Sequence, residues 1–191
     1  MLSVAIAPQK LEAALAAGEL ACPDCCGRLS PWGFARSREV RLADEVRSLR
    51  PRRAVCGGCG ATHVLAPAWT VSRRRDGAEV IGQALALACQ GVGHRVIARR
   101  LGRAPGTVRG WLRAARRRAP SLRACATRWA CALDPELGAV TPAGSELGDA
   151  VEAMMLAARA WTLRFGPGMG AWQLAVALTG GLLAGVPPPP R

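Results

Sequence analysis

Tyrosine is absent from this 191-residue chain, histidine and phenylalanine occur twice each, and Lys10 is the lone lysine. Without tyrosine there is no phenolic nucleophile for tyrosine-recombinase chemistry. Acidic residues are scarce as well, 13 against 26 basic ones. Beyond residue 118 they are Asp134, Glu136, Glu146, Asp149 and Glu152, crowded into expected helices and loops. An acidic triad that holds two metal ions needs carboxylates converging from a sheet, and no strand pattern carries these. Ser72, Ser121 and Ser145 have no persuasive partners. The chain therefore reads as non-enzymatic, with no small-molecule substrate. A secretory leader is not expected either: residues 1–21 lack a basic start and interrupt the would-be apolar stretch with Lys10, Glu12 and Glu19. A cytoplasmic protein is expected.

What the chain has instead is arginine. Of the 26 basic residues 25 are Arg, and residues 28–118 hold 20 basic but only 5 acidic side chains, while the remainder is slightly acidic. A charge excess confined to one stretch is suited to a polyanion met there. Half the residues are apolar, which rules out disorder throughout, although much of that half is alanine and the cores must be small.

Eight cysteines accompany the arginines, and without export a metal is favoured over disulfides. Cys22-Pro-Asp-Cys25 and Cys56-Gly-Gly-Cys59 are two C-x-x-C units 30 residues apart. Each forms a tight turn with both sulfurs on one side, and two such turns face to face supply the tetrahedron that zinc prefers. Cys22, Cys25, Cys56 and Cys59 are thus the expected ligands of a structural Zn²⁺, with an iron site of rubredoxin type as the alternative. Cys26 stands where Gly60 stands in the second unit and reads as a neighbour. His63 reads as decoration of a strand. Cys89, Cys125 and Cys131 lie in apolar helical surroundings and read as core.

Punctuation divides the chain into four parts: 1–21, a strand at 3–7 and a helix at 9–17; 22–67, a zinc ribbon with strands near 39–42 and 62–65; 76–119, three helices; and 120–191, a helical packing or dimerisation region. Arg73, Arg74 and Arg75 form a basic linker. Asp76 with Glu79 has the form of a capping box. Helices are expected over 77–90, 94–101 and from Pro105 to about 118. Gly102 makes the turn between the last two, the arrangement of a helix-turn-helix. The last helix buries Val108, Trp111, Leu112 and Ala115. Its other face carries Arg109, Gly110, Arg113, Arg116 and Arg117, with Thr107 at the edge. Arg109 and Arg113 are long enough for guanine edges in a major groove, and Arg116, Arg117 and Arg118 suit phosphates. Arg103 departs from the pattern, since such turns often carry an apolar residue there.

Residues 97–112, Ile-Ala-Arg-Arg-Leu-Gly-Arg-Ala-Pro-Gly-Thr-Val-Arg-Gly-Trp-Leu, resemble the helix-turn-helix of bacterial insertion-sequence transposases, whose N-terminal DNA-binding part residues 22–118 are similar to. With Pro31-Trp-Gly33, residues 56–65 and the late Thr-Gly-Gly-Leu-Leu183, the whole chain resembles an uncharacterised actinobacterial-type family of ribbon plus helix-turn-helix proteins. The resemblance implies sequence-directed binding of double-stranded DNA and carries no catalytic activity with it.

In the C-terminal region, Leu122, Cys125, Trp129 and Leu133 form one apolar stripe, and Leu147, Val151, Met154, Ala158, Trp161 and Phe165 another. A last helix, 169–183, is apolar nearly all round, but Gln173, Thr179 and several glycines make it a poor membrane span. Burial against the preceding helices or a second copy is expected. The overall expectation is a mainly α fold with a small β zinc ribbon, a central trihelical unit and C-terminal helices. It would serve as a nucleoid-associated DNA-binding protein, either a transcription regulator or a transposase-derived accessory. The alternatives are an RNA-binding module and a metal-stabilised protein-interaction adaptor.

Overall fold

A computed structural model of the chain describes residues 2–4, 8–138 and 140–181. Strands fill the first third and helices the rest. β1 (Leu2–Val4) and α1 (Pro8–Ala17) are followed by β2 (Leu29–Phe34), β3 (Arg38–Arg41), β4 (Val46–Leu49), β5 (Arg52–Cys56) and β6 (Thr62–Pro67). Then come α2 (Ala78–Cys89), α3 (His94–Arg100), α4 (Pro105–Leu133), α5 (Glu146–Phe165) and α6 (Ala171–Thr179). The fold is thus mixed: among the described residues a small sheet, with α1 between its first two strands in the chain, precedes five further helices.

Four strands pair in the order β1-β6-β5-β2; β1 runs parallel to β6 and the other pairings are antiparallel. β3 and β4 form a separate hairpin, with Val40 opposite Arg47. The sheet is too small to bury a core alone, and α1 completes it. Leu11 and Leu15 pack with Leu29, Ala54, Leu65, Cys22 and Cys56. β1 thus pairs with, and α1 packs against, strands that lie beyond residue 21. Of the strand expected over 3–7, residues 5–7 lie outside the described residues, as do 182–191 with the end of the expected last helix and the proline tail.

α2 to α6 share a second core. Ile81, Leu85, Ile97, Val108, Trp111, Leu122 and Met154 are among its fully buried members. Two expectations are corrected here. Asp76 does not cap α2: the helix begins at Ala78 behind Gly77, with no side-chain cap, and the Asp76 carboxylate is used elsewhere. Nor does the chain break near residue 119. α4 runs 29 residues straight through Pro120, because its buried face continues from Ala115 and Ala119 through Leu122, Ala126 and Ala130. Burial of that stripe outweighs the hydrogen bond that the proline removes.

Alanines let α5 lie close to α4. The contacts advance together along both helices. Arg116 shares a cleft with residues 145–147, Arg123 reaches Asp149 at 3.4 Å, and Ala130 and Cys131 share a second cleft with Ala153 and Leu156. The two helices accordingly run in the same direction, and residues 134–145 must travel back along them. Ser145 caps α5 by accepting from the Gly148 amide at 3.1 Å. Of the expected stripe on α5, Leu147, Val151, Met154 and Ala158 are buried, Trp161 is half-buried and Phe165 is exposed. α6 buries Trp172, Leu174, Ala175, Val176 and Leu178 against α2, α4 and α5. No helix among the described residues is long and apolar enough to cross a membrane.

Candidate metal centre and arginine surface

The two C-x-x-C units fold as near copies of one turn. In the first, the Cys22 amide donates to Gly27 O at 2.8 Å and the Cys26 amide to Cys22 O at 2.9 Å. In the second, the Cys56 amide donates to Ala61 O at 2.9 Å and the Gly60 amide to Cys56 O at 3.0 Å. The sequence equivalence of Cys26 and Gly60 is realised in the backbone, for their φ angles are 59° and 70°. Cys26 is exposed and stands outside the sulfur cluster. Pairing of β2 with β5 places Leu29 opposite Cys56 and so sets one turn against the other.

The consequence is a cluster of Cys22, Cys25, Cys56 and Cys59 whose sulfurs all lie within 4.8 Å of one another. Cys22 Sγ is 3.8 Å from Cys59 Sγ, and Cys25 Sγ is 3.4 Å from Cys56 Sγ. Four sulfurs at about 2.3 Å from a central ion in a tetrahedron are about 3.8 Å apart, so the cluster is geometrically suited to a metal ion. The amides of Gly58 and Cys59 point at Cys56 Sγ from 3.3 and 3.5 Å. The Cys59 amide above all, with that of Gly58, pulls the Cys56 thiol down to about 6. At Cys25 the Gly27 amide acts downward, but the neighbouring sulfurs of Cys56, Cys59 and Cys22 outweigh it and the thiol is pushed up to about 12. Cys59 is raised by the same crowding, against the pull of the Ala61 amide. Crowded thiols that resist joint ionisation are relieved when a cation replaces their protons.

His63 has a closer relation to the cluster than strand decoration. It is 7% exposed, and its Nε2 lies 3.4 Å from Cys22 Sγ and 4.0 Å from an Asp24 carboxylate oxygen. It therefore lies against the cluster from the sheet side, at hydrogen-bonding distance from one of its four sulfurs. The remaining cysteines divide. Cys125 is core, whereas Cys89 and Cys131, expected to be buried, are exposed.

The arginine surface is built by α4. Val108, Trp111, Leu112 and Ala115 are buried, Arg109, Arg113, Arg116 and Arg117 are exposed, and Thr107 is half-buried at the first turn. Among the described residues none of these four arginines joins an ion pair. A Cβ added at Gly106 or Gly110 would meet nothing within 4 Å, so internal packing does not demand glycine there. Such a face can approach a polyanion closely and place guanidinium forks on it. Arg73 and Arg75 are exposed and Arg74 half-buried, beside the β3–β4 hairpin.

Arg103 is the residue the sequence left unexplained. Its Nε donates to Asp76 Oδ1 at 2.6 Å and its Nη2 to Leu42 O at 2.8 Å, while Arg41 donates to Asp76 Oδ2 at 2.8 Å. The Asp76 side chain is 3% exposed. One buried carboxylate thus ties the turn before α4 to the hairpin and to the arginine linker. A basic residue at a turn position that prefers apolar ones was the only sequence signal for it. A second feature missed by sequence is an exposed aromatic pair on edge strand β2, Trp32 and Phe34. The Arg52 and Arg50 guanidinium carbons lie 4.6 and 5.1 Å from the Phe34 ring centre. No family model, curated protein or solved structure matches the chain.

Proposed function

We propose that the chain binds double-stranded DNA in a sequence-directed manner, as a zinc-ribbon and helix-turn-helix protein without a catalytic domain. The observation that carries this reading is the division of α4 into a buried apolar face and an outward face of Arg109, Arg113, Arg116 and Arg117 with open glycines beside them. α3 and α4, joined by Gly102 at φ 61°, serve as the helix-turn-helix, and α4 is its reading helix. Arg109 and Arg113 meet base edges, Thr107 meets the groove wall, and Arg116 and Arg117 meet phosphates. Arg73, Arg74 and Arg75 grip the backbone.

Zinc is the metal we assign to Cys22, Cys25, Cys56 and Cys59, because all-thiolate tetrahedra with no open position suit a structural ion. Bound there, it supplies cross-linking between the two turns and no reaction. Asp149, among the late acids, is engaged by Arg123 and by the Ala143 amide at 2.7 Å, which supports a structural role. The cellular roles that fit are regulation of transcription and service to a mobile element.

The deciding experiment is selection of bound duplexes from a random pool by the full chain, with metal content measured on the same preparation. Enrichment of a defined site, with one zinc per chain, is expected. Absence of any duplex binding at low salt, or enrichment of structured RNA over duplex in a parallel pool, overturns the reading.

A further inference from the structure

A second group of arginines closes on a cleft of its own. Ser37, Arg38, Glu39 and Ser48, from the β3–β4 hairpin and its entry, line it together with Arg73, Arg74 and Arg75. Four guanidinium groups therefore share the cleft with a single carboxylate. Arg38 is the distinctive member. Its Nε and Nη2 are shielded from solvent and have no hydrogen-bond partner among the described residues. Burial lowers its proton affinity from the ordinary arginine value. Shielded polar donors are nearly always satisfied, so these two nitrogens of the half-buried Arg38 call for an acceptor from outside the chain.

The surroundings specify what that acceptor is. The Ser37 and Ser48 hydroxyls share a hydrogen bond of 3.2 Å in the same wall, which leaves one O–H as a neutral donor. Arg73 adopts φ 59°, a left-handed conformation that side chains with a Cβ rarely take, and so the linker is folded tightly beside the hairpin. Arg41, the nearest other arginine of β3, is already occupied by Asp76 and does not compete. Several planar guanidinium forks and serine hydroxyls lining one cleft suit a tetrahedral oxyanion, whose oxygens each accept more than one bond.

We propose that this cleft is a phosphate-binding site in which Arg38 supplies the inner donors and Arg73, Arg74 and Arg75 the outer ones. Asp76, which directly follows Arg75, is bonded to Arg103 at the turn before α4, so the site is fixed relative to the start of the arginine face. A phosphate of the duplex backbone is one source and a free phosphorylated molecule the other. Only the first source rests on the DNA-binding reading.

The test uses the metal-loaded full chain in two arms. In the first, inorganic phosphate is titrated at constant ionic strength while arginine Nε–H resonances are followed by NMR; a saturable shift of the Arg38 signal is expected, with Arg109 unmoved. In the second, duplex affinity is measured against salt for the wild type, Arg38→Gln and Arg38→Lys. Loss of one phosphate contact in Arg38→Gln flattens the slope of log affinity against log salt by about 0.9, and the lysine variant, which keeps charge without the fork, restores the slope but not the full affinity. Arg74→Gln provides the same readout if Arg38→Gln does not fold. Saturation by phosphate with no duplex bound by any variant supports a free phosphorylated ligand and defeats the DNA reading alone. A silent Arg38 signal together with wild-type slope and affinity in the variants overturns the phosphate site and leaves the DNA reading intact.

Discussion

Asp76 Oδ1 and Arg103 Nε stand 2.6 Å apart, with the carboxylate 3% and the guanidinium side chain 11% exposed, and this pair joins the linker to the turn that starts α4. Removing one partner of such a buried pair strands the other's charge. Asp76→Ala is expected to destabilise the metal-loaded chain by about 3 kcal/mol, whereas an apolar replacement of both partners costs much less. Urea denaturation of the two single variants and the double variant measures the difference. A single-variant loss below about 0.5 kcal/mol, the range of ordinary surface substitutions, would show that the pair does not brace the fold.

Metal affinity should climb with pH. Cys25, pushed up to about 12, and Cys59, also raised, hold protons at neutral pH in the metal-free cluster, while Cys56 at about 6 has lost its own. Each proton displaced by the metal contributes about one log unit of affinity per pH unit, so Cys25 and Cys59 alone give at least about a hundredfold per unit. The dependence steepens below about pH 6, where Cys56 must also give up a proton. Competition with a chromophoric chelator across pH reads this directly, and a flat profile would refute the all-thiolate site.

Cys26 and Cys59 should respond oppositely to substitution. Cys59→Ser removes a ligand and is expected to abolish stoichiometric metal binding. Cys26→Gly relieves a side chain at φ 59° and is expected to leave one metal per chain while raising stability by up to about 1 kcal/mol. Metal analysis and thermal denaturation of both variants check the assignment, and loss of metal in Cys26→Gly would sink it.

Arg109→Ala and Arg74→Ala should separate reading from gripping. The first is expected to relax the preference among duplexes by about 1–3 kcal/mol at one base position, and the second to weaken every duplex alike and reduce the salt slope by about 0.9. Affinity measured on a matched set of single-base variants distinguishes them. Equal loss of preference in both would remove α4 from the reading role.

Gly82 lies under the Trp172 ring, where an added Cβ would come within 2.0 Å of Cδ2. Gly82→Ala is therefore expected to cost about 1–3 kcal/mol by overpacking. Denaturant unfolding gives the value, and a neutral outcome would mean that α6 shifts freely over α2.

Local patterns were the legible part. The cysteine spacing identified the four clustered sulfurs, and the periodicity of residues 105–118 separated the buried Trp111 from the exposed Arg109 because both signals lie within a few residues of chain. Contacts between distant segments were not legible. Nothing near Asp76 announces Arg41 or Arg103, so its carboxylate read as a helix cap. The helix is expected to stop at about 118, short of Pro120, since the alanines that carry α4 beyond it find their partners on α5, far along the chain. Arg38, just outside the strand expected near 39–42, carries no signal of its own, and only the folded linker brings residues 73–75 beside it.

The unbroken length of α4 has a mechanical corollary. At 1.5 Å per residue, 29 residues make a rod about 43 Å long, with Thr107, Arg109 and Arg113 near one end and the start of the return at Asp134 at the other. A tilt of about 5° about the far end swings the near end by roughly 4 Å at that same rise, more than the spacing between successive base pairs. Whatever settles into or pries open the crevice between α4, α5 and that returning segment thus acts on a long lever arm.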